Sequence, residues 1–160
     1  KTFKINDKAS GISELILRFI SLYYTKGVFK GSMKNFLDKE LKLNKDFKVH
    51  TMKEIAWLFD TSFSIITNLF TEKTFTPKQS FNSYYFLVTW VSIANVLSNE
   101  TNPEEWIQNN KKLIIEKFNE VCKNEIVNSF ITNTRRASNS ETLSNVINIL
   151  TTAFKDAINE

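Results

Sequence analysis

A chain of 160 residues is long enough for one domain with its own core, and 42% hydrophobic with 24% charged residues excludes a disordered or fibrous protein. Gly (3) and Pro (2) are too scarce for the many tight turns of a sheet protein, which predicts a few long helices joined by short polar loops. The formal charge of +4 is uneven: residues 1–50 carry 11 Lys+Arg against 5 Asp+Glu, and residues 51–160 carry 10 against 12. A basic end suits nucleic acid or an acidic partner, while dispersed lysines are by default a solvated surface.

Six helical segments follow in chain order. The first covers Ile12–Tyr24, where Ile12, Leu15, Ile16, Phe19, Ile20 and Tyr23 recur at helical spacing. Arg18 sits inside that apolar run and therefore needs a carboxylate or a helix end as a structural partner. Gly27 and Gly31 bracket a linker, and Ser32 caps a second segment to Leu43 with Met33, Phe36, Leu37 and Leu41 turned inward. Thr51 and Glu54 have capping-box spacing and open a third, with Ile55, Leu58, Phe59, Phe63, Ile66 and Phe70 as its apolar positions. Pro77 bars further helix.

The fourth segment, Ser80–Leu97, is apolar almost all round, which places it centrally in a bundle. Its aromatic and β-branched content is also compatible with a strand. The fifth begins at Asn102 as cap, with Pro103 first in the helix and Glu105 three residues after the cap, and runs from Trp106 through Cys122 to Phe130. Asn109–Asn110 marks its weak point. The sixth begins at a second box, Ser138 with Glu141, and continues through Leu143, Val146, Ile149, Leu150, Phe154, Ala157 and Ile158.

Sites of chemistry are sparse. One His and one Cys, far apart in sequence, give neither a zinc site nor a nucleophile–base pair. His50 reads as a solvated or loop residue, and Cys122 as a small buried hydrophobe on an apolar stripe. The glycines form no phosphate-binding loop, and Glu104–Glu105 complements a helix dipole. Candidate phosphate or nucleic-acid contacts are Arg135 and Arg136 in the Thr132–Ser138 turn, and Lys111 with Lys112. A polar interhelical turn and solvated lysines account for the same residues. No signal-peptide pattern or membrane-length apolar run occurs, and a lone Cys makes no internal disulfide, so a cytoplasmic protein is expected. Lys1 is not a natural start, which suggests a piece of something longer.

The run Glu14-Leu15-Ile16-Leu17-Arg18-Phe19-Ile20-Ser21-Leu22, with Lys30-Gly31-Ser32-Met33-Lys34-Asn35-Phe36-Leu37, resembles the domain-of-unknown-function 262 family. That family includes GmrSD-type modification-dependent restriction and antiphage proteins. The likeness extends over Phe59, Ile65, Ile66, Leu69, Phe70, Phe75 and Phe81-Asn82, then more weakly to the Thr132–Ser138 turn and the last segment. In the family, a preceding ParB-like domain carries an Asp-Gly-Gln-Gln-Arg motif tied to nucleotide hydrolysis, and some members end in a His-Asn-His nuclease. Neither motif occurs in these residues. The resemblance therefore implies the helical portion that follows the ParB-like domain.

Together these readings predict an all-α bundle of about six helices around a central apolar helix, with residues 1–160 as a single helical domain. Its expected role is non-catalytic and without a cofactor of its own. It would pack against the ParB-like nucleotide-binding domain of a DNA-targeting restriction or antiphage parent. The alternatives are a stand-alone nucleic-acid-binding module and a helical homo-oligomerisation domain.

Overall fold

The computed structural model describes residues 9–46, 50–97, 102–133 and 139–159, with the backbone alone at residues 9, 10, 103, 104, 106, 158 and 159. Among them are seven α-helices and no strand. These are α1 (Ala9–Thr25), α2 (Met33–Leu43), α3 (Met52–Leu69), α4 (Ser83–Leu97), α5 (Pro103–Val121), α6 (Glu125–Thr132) and α7 (Ser140–Asn159), with a 3-10 turn at Glu72–Phe75 after α3. The all-helical expectation holds, and the strand alternative for the fourth segment does not.

The helix count differs from the expected six because the fifth segment is two helices. Lys123 N–H donates to Glu120 O and Asn124 N–H to Val121 O, which tightens the end of α5 into a turn. Asn124 Oδ1 then accepts from the amides of Ile126 (3.0 Å) and Val127 (3.4 Å) and starts α6. Asn109–Asn110 lies within unbroken helix.

The predicted starts fare unevenly. Ser32 Oγ accepts from the Asn35 amide at 3.3 Å. The Thr51 box closes in both directions: Thr51 N–H donates to Glu54 Oε2 at 2.9 Å, and Glu54 N–H to Thr51 Oγ1 at 3.2 Å. Asn102 precedes Pro103 as expected, but its side chain caps no amide. Instead Asn102 Nδ2 donates to Glu105 Oε2 at 2.8 Å. Ser138 lies outside the described residues; α7 starts at Ser140, where Asn139 Oδ1 accepts from the Thr142 amide at 3.2 Å.

Twelve residues of α4, from Tyr85 to Leu97 with Asn95 excepted, are buried. The helix packs against α7, α1 and α3, while α5 packs against α7 and α3. Aromatic rings fill the space between them. Trp90 stacks on Phe19 with centroids 3.9 Å apart, and Phe59 and Phe63 of α3 meet it nearly edge-on at 5.2 and 5.3 Å. Fully burying a ring such as Phe19 stabilises the fold by about 1.5–3 kcal/mol, and the half-buried Phe59 and Phe63 gain less. The indole is also satisfied: Trp90 Nε1–H donates to buried Ser62 Oγ at 2.7 Å, and Ser62 Oγ–H donates to Leu58 O at 2.6 Å. Arg18 has the carboxylate partner its setting requires. Its Nε donates to Glu14 Oε1 at 3.0 Å one turn back, and its guanidinium lies 5.0 Å from the Tyr84 ring.

The linker after α1 is seated on the first turns of α7. Ser140 Oγ accepts from the Phe29 amide at 2.9 Å and donates to Gly27 O at 3.2 Å. Gly27 has φ of +77°, and a Cβ there would lie 2.9 Å from Ile147 Cδ1 and 3.0 Å from Ser144 Cα. Only glycine fits this approach. Leu41, expected to turn inward, is instead 53% exposed. The buried stripe of α2 is Met33, Phe36 and Leu37, near its start, and toward its end the helix borders a depression over α1.

Candidate functional site

Several large apolar side chains stand exposed around the end of α2 and the start of α3. Beyond Leu41, α2 exposes Leu43, and the first turns of α3 expose Met52 (62%) and Trp57 (49%). Leu17, Ile20, Ser21 and Tyr24 of α1 lie between, with Ile55 of α3 beside them. The result is a groove with α1 as floor and the ends of α2 and α3 as walls.

The groove holds two depressions that share Tyr24. One, of about 560 Å³, lies among Leu17, Ile20, Leu41 and Ile55. The other, of about 500 Å³, lies among Tyr23, His50, Trp57 and Leu58. His50 occupies the bend before α3, a loop position as expected, but it is half-buried, and its ring stacks on Tyr24 with centroids 3.3 Å apart and 7° between planes. Burial raises the Tyr24 phenol above its ordinary value, helped by Tyr23 and Glu54. Two polar atoms on these walls are buried without a partner among the described residues, Ser21 Oγ and Asn44 Oδ1.

Charge around the rim is mostly positive. Lys42 and Lys45 border the first depression and Lys53 the second. Glu40 and Glu54 are the carboxylates among the lining residues. Glu54 is committed: its hydrogen bonds with the Thr51 hydroxyl and amide hold its carboxyl below the usual range. The lining thus carries three ammonium groups and two carboxylates, because the hydrogen-bonded Glu54 keeps its charge.

Among the described residues, no three of His, Cys, Asp and Glu stand together as metal ligands. Cys122, expected to be buried, is half-buried at the end of α5, within 3.1 Å of Tyr85 Oη. Burial pushes its thiol up, away from the reactive thiolate. No helix of the described residues is long and apolar enough to cross a membrane.

Of the residues singled out in the sequence, the described ones lie elsewhere. Lys111 and Lys112 are exposed on α5 and line none of the groove; Lys112 Nζ is 3.8 Å from Glu116 Oε1. Arg135 and Arg136 fall outside the described residues. The groove residues were missed because their signal is a departure from pattern. Met52 and Trp57 are large apolar residues off the inward stripe of α3, where charged residues are the norm. Compared with known protein families, curated proteins and solved structures, the chain matches none.

Proposed function

We propose that this chain is a non-catalytic docking domain, a bundle organised around α4 that presents an apolar groove to another domain. The observation that carries this reading is the exposure of Leu41 and Trp57, each lining one of two neighbouring depressions that α1 also lines. Contiguous apolar surface rimmed by charge marks an interaction site, because leaving it in water costs free energy that association recovers. The resemblance of α1 and α2 to the domain-of-unknown-function 262 family suggests the context. In that context the parent is a cytoplasmic, nucleotide-dependent restriction or antiphage protein that targets DNA. The groove faces its ParB-like nucleotide-binding domain, and the reactive residues belong to that neighbour.

The test begins with the full-length gene and the region encoded upstream of Lys1. It should encode a domain bearing the Gln-Gln-Arg motif, and that domain, co-expressed with these helices, should co-purify with them and shift the Trp57 fluorescence. A gene without such a domain ends the defence reading. A salt-titrated DNA-binding assay addresses the nucleic-acid alternative, since phosphate contacts weaken steeply with salt. Sedimentation at high concentration addresses self-association.

A further inference from the structure

We draw no further inference here: the strongest candidate, the apolar depression bounded by α1, the end of α2 and Ile55 of α3, carries nothing because nothing in the structure shows what covers it, and the unpartnered Ser21 Oγ and Asn44 Oδ1 beside it are buried out of a ligand's reach.

Discussion

Tyr85 and Cys122 show how a pair of weak acids ties stability to pH. Burial raises both; the hydrogen bond between them raises the phenol further and pulls the thiol partly back, as a phenol donating to sulfur should. In the unfolded chain the thiol loses its proton near pH ~8.5 and the phenol near ~10. The folded chain holds both protons longer. Above those values the unfolded state therefore binds fewer protons, and stability falls as pH rises. The contribution is complete below about pH 8 and drains through the ordinary thiol and phenol range toward the raised folded values. We expect a lower urea midpoint at pH 10 than at pH 7, with a shallower decline in Tyr85→Phe; equal midpoints for the parent chain would contradict this. At this scale the sequence is only partly readable. Cys122 sits on an apolar stripe in plain view, but its partner is 37 residues away. Likewise Trp90 is an obvious core residue, yet the hydroxyl that satisfies its indole, Ser62, reads in isolation as one more small polar residue in a helix. Pairings across that distance are set by packing, which local pattern does not contain.

Helices themselves are highly legible, because an amphipathic period and a capping box are local physics. Thr51 with Glu54 and Ser32 with Asn35 act as their spacing requires. The break between α5 and α6 was hidden because Phe118, Cys122, Ile126 and Phe130 keep helical spacing across it, although Ile126 is 49% exposed. Asparagine also looks the same in a cap as in a helix interior, so Asn109–Asn110 and Asn124 could not be told apart. Asn124→Ala should remove the cap of α6 and cost about 1 kcal/mol. Amide exchange should accelerate in α6 and not in α5; unchanged exchange in α6 would mean that packing alone fixes the break. The groove was hidden for a related reason. A stripe tells which face of a helix is apolar, not where the neighbour that covers it ends. Leu37 and Leu41 share the inward stripe of α2, but only Leu37 is covered.

At the scale of the molecule, distant parts of the chain meet at Gly27. Its φ of +77° and the 3.0 Å approach to Ser144 Cα make Gly27→Ala costly twice over. The left-handed backbone alone costs a side chain about 1–2 kcal/mol. Gly31 provides the comparison, with φ of +81° and nothing within 4 Å of an added Cβ. Both substitutions should lower the melting temperature, Gly27→Ala by roughly 5–10 °C and Gly31→Ala by clearly less. Equal losses would show that the linker can lift off α7 without penalty. The same closure has a consequence for how the chain is made. Leu143, Val146, Ile147, Leu150 and Phe154 of α7 are all buried, and α4 and α5 are the helices they help to cover. Synthesis delivers those earlier helices first. Until α7 has left the ribosome, the nascent chain must carry a wet, sticky face of α4 that is a natural substrate for chaperones. A ribosome stalled just before Ser140 should display it.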